Sequence, residues 1–332
     1  MSLFRRRFLQ LLMGAATVPA LVGRSSSAET QRQVRVATGL LAMWQSTAWL
    51  GAEAGIFGNR QIEMSLTGVA IGGPQAAAGL IRGDYEFAHT GVLPVAEEVL
   101  KGNDIVILAT PTTEFPNQFI MTRREIAELA GLAGKRVGVL SETGQTSVAT
   151  RIAIEKAGAV ATYAPLVRFD RIYAALAAGE IDAGVLPVDL RFVGANRYGW
   201  NAFPVYEFGT PSIFAGTRKL IASDRELVMN VMRGFVETIH LFKTRPDIVV
   251  PLLARYLNIE DRKVAADLYA FHLPVFQKSP RPSLGGLQNI RDVLVTKYAT
   301  AASLTEADIA DASFIEQLES EGFIDRLYRD GR

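Results

Sequence analysis

The sequence predicts an α/β fold of two successive lobes, each a mainly parallel sheet flanked by helices, with a helical carboxy-terminal tail. Three observations carry that prediction. Short apolar runs alternate with helical segments from Val34 onward, and the alternation begins again after Pro116. From Asp224 the apolar positions switch to steps of three and four, as Val228, Val231, Met232, Phe235, Ile239 and Phe242 show.

In the first series the strands are expected at Val34–Thr38, Ile62–Leu66, Phe87–Thr90 and Ile105–Ala109, with helices over Ser46–Ala54, Pro74–Arg82 and Pro94–Lys101. Gly55 and Gly83 stand where helices end, and Pro74 and Pro94 where a first turn tolerates proline. The second series runs through strands Gln118–Thr122, Arg136–Leu140, Ala164–Arg168 and Ala183–Leu186, with helices Thr146–Ala157 and Ile172–Ala178. Val205–Phe208 and Ile213–Gly216 read as returning strands. In the tail, Pro246 and Pro251 punctuate the helical pattern, two more helices cover Asp261–Phe271 and Leu287–Tyr298, and Gln277 to Gly286 is a loop by composition. The chain is expected to cross into a second lobe near Thr112–Asn117 and to return near Gly209–Ala215. Lobe 1 is then discontinuous, residues 29–114 and 213–332, around lobe 2 at 115–212, and the two crossings form a hinge.

The amino terminus narrows the setting. Arg5-Arg6-Arg7-Phe8-Leu9 fits a twin-arginine export pattern, with Phe4 in place of the usual Ser or Thr before the pair. An apolar run from Leu9 to Val22 follows, then Ser26-Ser27-Ala28 with small residues at the −3 and −1 positions of a cleavage site. The run is broken by Gly14, Pro19 and Gly23 and is too short to remain as a membrane span. Residues 1–28 are therefore expected to be a signal peptide, with a soluble mature protein starting near Glu29 outside the cytoplasm.

Of the 332 residues 49% are hydrophobic, enough for one large or two medium cores. The formal charge of +1 hides a split, because residues 1–28 carry four arginines and no acid, leaving −3 for the rest. A mildly acidic surface offers no footprint for nucleic acid or anionic membrane. With no cysteine in the chain, a disulfide framework, a thiolate metal site and a cysteine nucleophile are excluded. His89, His240 and His272 are far apart and share no metal-ligand spacing, and there is no G-x-S-x-G elbow, so neither a metal nor a cofactor is expected and the chain does not read as an enzyme. The glycine turn Gly138–Gly158, "GVLSETGQTSVATRIAIEKAG", lacks the Lys-Ser/Thr of a phosphate-binding loop and the spacing of a dinucleotide site.

Four stretches carry a resemblance: "LGAEAGIFGNRQIEMSL", "GGPQAAAGLIRGDYEFAHTGVLPVAEEVLKGNDIVILA", "LAGKRVGVLSETGQTSVATRIAIEKAG" and "ALAAGEIDAGVLPVD". Their order and spacing from Val34 to Val188, with the ending "FIEQLESEGFID", resemble the periplasmic solute-binding proteins of ABC importers, in the nitrate/sulfonate/taurine and thiamine-pyrimidine-precursor group. The resemblance implies a two-lobed type II periplasmic binding fold, a small molecule held between the lobes, a monomer, and an inner-membrane permease as partner. The same fold also presents ligands to membrane sensors, and some relatives are pyrimidine synthases associated with a cysteine-rich motif that this chain lacks. Sulfonate, nitrate, carboxylate, pyrimidine and aromatic acid all remain open as ligands.

In open α/β sheets ligands sit beyond the carboxyl ends of the strands, which selects five turns. The first offers Trp44 as a stacking wall and Gln45 as a hydrogen-bonding group; the alternative for Trp44 is a place in the core. Gly72 and Gly73 let backbone amides approach a ligand at a helix start, or simply make a tight turn. Thr90 and Gly91 follow the third strand, beside His89, which reads better as a structural histidine than as a ligand. Thr143, Gly144, Gln145, Thr146 and Ser147 open a helix with outward amides and a favourable dipole, with one hydroxyl free to act as the cap instead. Asp189 ends the fifth turn, able to accept from an amine or to pair with Arg191 or Arg168; Asn117, Phe169 and Phe208 are weaker candidates at the hinge and in the second lobe.

Overall fold

A computed structural model describes residues 31–113, 115–205 and 212–329, without the side chains at 189, 192, 193 and 196. The expected signal peptide, Phe208 and most of the returning crossover fall outside the described residues.

Ten strands form two five-stranded sheets. The first series gives β1 (Arg32–Thr38), α1 (Thr47–Glu53), β2 (Ile62–Gly68), α2 (Gly73–Arg82), β3 (Phe87–Thr90), α3 (Val92–Leu100) and β4 (Val106–Ala109). The second gives β5 (Gln118–Thr122), β6 (Arg136–Val139), α4 (Gln145–Lys156), β7 (Thr162–Pro165), α5 (Phe169–Ala178), β8 (Ala183–Pro187), α6 (Val188–Tyr198) and β9 (Asn201–Val205), before β10 (Ile213–Gly216) rejoins the first sheet. The orders are β2-β1-β3-β10-β4 and β7-β6-β8-β5-β9.

β1 pairs parallel with β2 and β3, while β10 runs antiparallel between β3 and β4. In the second sheet β6 pairs parallel with β7 and β8, while β5 runs antiparallel between β8 and β9. Each sheet thus has one reversed strand in the same place, and it is the strand by which the chain enters from the other sheet. The expected mainly parallel layers are present. Every strand residue of β3, β5, β8 and β10 is buried, as central strands covered on both faces require, and so is every residue of the edge strand β4.

The tail follows as α7 (Arg218–Ser223), α8 (Arg225–Thr244), α9 (Pro246–Tyr256), α10 (Arg262–His272), α11 (Leu287–Leu294), α12 (Glu306–Ile309), α13 (Ser313–Ser320) and α14 (Phe323–Arg329). The six apolar residues whose spacing predicted α8 are all buried along one face of it. Asp224 caps that helix by accepting from the Leu227 amide at 3.1 Å, and Pro246 both ends it and opens α9 as its first residue. Among the described residues no helix is long and apolar enough to cross a membrane.

Local readings differ from the structure in several places. The returning strand expected at Val205–Phe208 meets β9 at Asn201–Val205, with residues 206–208 outside the described residues, and the helix expected at Leu287–Tyr298 ends at Leu294. The strand expected at Ala164–Arg168 is β7 at Thr162–Pro165, because the chain turns at Val167, whose φ is +69°. Val188–Tyr198, not assigned from sequence, is helix α6; its apolar periodicity is weak, and tertiary packing against β5, β8 and β9 holds it.

Candidate functional site

The turns after β1, β2, β3, β6 and β7 meet around a cavity of about 270 Å³. All five lie at carboxyl ends of parallel strands, and they come from both sheets. From the first sheet come Gly39, Leu40, Gln45, Ile71, Gly72, Gly73, Gln75, Thr90, Gly91 and Pro94; from the second come Leu140, Ser141, Glu142, Gly144, Gln145, Thr146, Ser147, Pro165 and Val167.

Three helices start at this cavity, and glycine precedes each. Gly72, Gly91 and Gly144 are the N-caps of α2, α3 and α4, and none of the three helices receives a hydrogen bond from a cap side chain. First-turn amides and the positive ends of three helix dipoles therefore converge on one space, the arrangement that suits an anion or a strong hydrogen-bond acceptor. The turns pack so closely that side chains would not fit. A Cβ on Gly39 would lie 3.2 Å from the Gly73 Cα, and one on Gly91 would lie 2.7 Å from the Gln145 Oε1.

The polar side chains are ordered by their own bonds. Gln145 Oε1 accepts from the Leu93 amide at 2.9 Å, which ties the start of α4 on the second sheet to the first turn of α3 on the first. Gln45 Oε1 accepts from the Leu40 amide at 2.9 Å and holds its turn closed. Ser147 Oγ accepts from the Ser141 amide at 3.2 Å, and Ser141 Oγ from the Gly144 amide at 2.9 Å, so these hydroxyls shape the turn from within. Thr146 Oγ1 accepts from Gln118 Nε2 at 3.0 Å, and Thr90 Oγ1 donates to the Gly73 carbonyl at 3.3 Å.

Glu142 is the one ionisable residue on the wall, and it is exposed. Leu40, Ile71, Pro94, Leu140, Pro165 and Val167 make the remainder mostly apolar. Val167 is 66% exposed and holds a left-handed φ that a β-branched residue rarely adopts, and Ala70, next to the wall, has a φ of +54°. Such strain costs on the order of 1–3 kcal/mol per residue and persists only where the surroundings impose it.

Of the residues expected at a site, Gln45, Gly72, Gly73, Thr90, Gly91, Gly144, Gln145, Thr146 and Ser147 come together on the wall. Five do not. Trp44 is buried on the other side of its turn, stacked on His272 with ring centroids 5.9 Å apart and edge-on to Phe115. Asn117 is fully buried, with its carbonyl accepting from the Val188 amide, and does not reach the cavity. Thr143 is exposed in its turn without lining the wall, and Phe169 is half-buried against the second sheet's core. The Asp189 side chain, like Phe208, lies outside the described residues.

The sequence reading missed Ile71, Gln75, Leu140, Ser141, Glu142, Pro165 and Val167. The rule of carboxyl strand ends would have found the last two had β7 been placed correctly. The reading of His89 as structural agrees with its position: it is fully buried, its Nδ1 lies 3.0 Å from Ser212 Oγ, and it packs on Phe214 and Phe235. Burial pushes its pKa down to about 3.

No family model matches the chain, and no curated protein sequence matches it. Solved structures do match. A protein of Bordetella bronchiseptica RB50 aligns over 87% of this chain and 97% of its own at 14% identity, with a TM-score of 0.72. The alkanesulfonate-binding protein SsuA of Xanthomonas axonopodis pv. citri, bound to MOPS, aligns over 82% of this chain and 95% of its own at 17% identity and a TM-score of 0.64. A mutant of DszB in complex with biphenyl-2-sulfinic acid aligns over 88% and 99% at 16% identity and a TM-score of 0.57. The chain has the two-lobed periplasmic binding protein fold.

Proposed function

We propose that this protein is the periplasmic substrate-binding component of an ABC importer, exported with residues 1–28 as a twin-arginine signal peptide. It captures a small organic solute that has one anionic or strongly accepting end, and delivers it to a membrane permease. The observation that carries the reading is the convergence of three glycine-capped helix starts from both sheets on one mostly apolar cavity. Backbone amides there serve the polar end, and Leu40, Ile71, Pro94, Leu140, Pro165 and Val167 the apolar body. Among the anions, an organic sulfur oxyanion is favoured, since two of the similar structures hold one: MOPS in SsuA and a sulfinic acid in DszB.

In this reading residues 29–114 with 213–332 form one lobe and 115–212 the other. The crossings between them act as a hinge, and the ligand favours the closed form by its extra contacts there. The solute leaves unchanged, since the wall combines amides, hydroxyls and apolar groups with one exposed carboxylate.

Native mass spectrometry of the protein as purified tests this, together with equilibrium dialysis against alkanesulfonates, arylsulfinates, nitrate, carboxylates and pyrimidines. A bound organic anion recovered intact, with a more compact scattering profile on saturation, is the expected result. Failure to retain any solute from the panel, or turnover of a compound during incubation, overturns it.

A further inference from the structure

The turn at 39–45 has two sides. Leu40 and Gln45 face the main cavity, while the residues between them line a second chamber of about 20 Å³. Its wall joins both sheets: Met43 and Trp44 from the turn, Leu268 and His272 from α10, and Pro187 and Val188 from the end of β8 and the start of α6. A water needs roughly 10–15 Å³ of such volume, so the chamber takes one oxygen-sized group and nothing much larger.

Two polar atoms on this apolar wall have no partner. Trp44 Nε1 and His272 Nε2 are both buried without a hydrogen bond, in side chains that are 2% and 1% exposed. Their chemistry is complementary. An indole nitrogen only donates. His272 Nδ1 lies 2.8 Å from the Leu268 carbonyl, an acceptor, so Nδ1 carries the proton and the Nε2 of the neutral ring is left as an acceptor. The two rings stack nearly parallel, 17° apart with centroids 5.9 Å from each other. The seam stays polar beyond the chamber: Asn117, bonded through its carbonyl to the Val188 amide, has both carboxamide atoms buried and unpartnered.

We propose that this chamber is a binding site for a single hydroxyl group, which accepts from Trp44 Nε1 and donates to His272 Nε2 and so pins the first sheet's turn to the second sheet's edge. A carboxylate or sulfonate oxygen does not fit, because it has no proton for His272. An ammonium does not fit, because it cannot accept from Trp44. A carboxamide meets both requirements but exceeds the volume. The hydroxyl is supplied either by a resident water or by a hydroxyl of the solute in the main cavity. The site does not depend on that solute being an anion, or on there being a solute at all.

Crystal structures at better than about 1.5 Å, of the protein as purified and after exhaustive dialysis, test the proposal. An oxygen about 2.7–3.2 Å from both nitrogens is expected in each. The same isolated oxygen in both forms assigns a water. Density continuous with a larger molecule, present only before dialysis, assigns a solute hydroxyl. An empty chamber, or an oxygen bonded to only one nitrogen, overturns the proposal, as does a second protein partner for either atom. Nitrogen-15 spectra of His272 in the intact protein supply an independent readout. The Nδ1–H tautomer is expected at neutral pH, and the Nε2–H tautomer overturns the assignment. In His272→Phe the oxygen should be lost; if that variant does not fold, the spectra of the native protein still decide.

Discussion

At the cavity, α2, α3 and α4 begin on Gly72, Gly91 and Gly144, with no cap side chain on their first amides. In the carboxy-terminal half, α7, α8 and α10 begin on Thr217, Asp224 and Asp261, each accepting from an amide of the first turn at 3.1, 3.1 and 2.8 Å. The orphan amides are the same in both regions. At the starts of α7, α8 and α10 a side chain satisfies one of them, which stabilises the helix by about 1 kcal/mol, whereas α9, α11 and α13 carry no such cap. At the cavity no N-cap side chain does this, and the Leu93 amide of α3 is met instead by Gln145 from the other sheet. What sets the cavity apart is that three uncapped starts converge on one space, where the proposed function has a ligand supply the missing acceptor.

Acid should separate the buried histidines from the surface caps most strongly. Burial holds His89 down to about 3 and His272 down to about 4, from an ordinary value of 6.5. Below pH 6.5 the unfolded chain binds protons that the folded chain refuses, so each group removes up to about 1.4 kcal/mol per pH unit until its folded value is reached. In the tail, hydrogen bonds from the Thr305 side chain and amide hold Asp308 below its usual 3.8. That contribution is intact above 3.8 and is lost only as the pH falls further. Hydrogen exchange at pH 5 should therefore show loosening around β3, β10 and α10 while the start of α12 stays protected. Equal loosening of both, or none above pH 4, would remove the distinction.

A substitution at Gly91 comes next. Gly91→Val places atoms where Gln145 Oε1 now lies, and overpacking of that kind costs about 1–3 kcal/mol. The cost falls on closure of the two sheets over the cavity, so affinity for the solute recovered by mass spectrometry should drop about 5- to 150-fold. The unfolding midpoint should move less than the affinity implies. An affinity equal to wild type would show that α3 and α4 do not close on the ligand.

Gln145→Ala should have a milder effect of the same sign. It removes one hydrogen bond between the sheets, on the order of 0.5–1.5 kcal/mol, without adding bulk. The scattering profile of the unliganded protein should broaden and affinity should fall about 2- to 12-fold. Tighter binding would mean that Gln145 competes with the solute for the start of α3 rather than holding the sheets together.

The parts legible in the sequence were those with a local cause. Periodicity placed α8 and its buried face, and β3, β5 and β10 fell where their apolar runs predicted. Nine of the candidate residues line one cavity because strand ends and glycine-led helix starts are visible as pattern. Trp44 was not placed, since a side chain on a turn can face either way and only His272, some 230 residues later, decides which. Val167 was hidden by its own chemistry: a valine after an apolar run reads as strand, and the left-handed turn it makes is imposed by surroundings that no local signal reports.

The smallest effect on binding belongs to the surface helices, and it serves as the control for the comparison. Asp224→Ala removes the acceptor for the Leu227 amide and the 3.7 Å pairing with Arg32. The pairing is exposed and contributes little, whereas the lost cap should lower stability by about 1 kcal/mol, read as a shift in the denaturant midpoint with unchanged slope. Solute affinity should stay within twofold of wild type, because neither Asp224 nor any residue of α8 lines the cavity of the glycine-capped turns. A capped helix then costs stability and no binding when its cap is lost, while an uncapped one costs binding when its glycine is filled. If Asp224→Ala weakened binding as much as Gln145→Ala, the two kinds of helix start would be doing the same job.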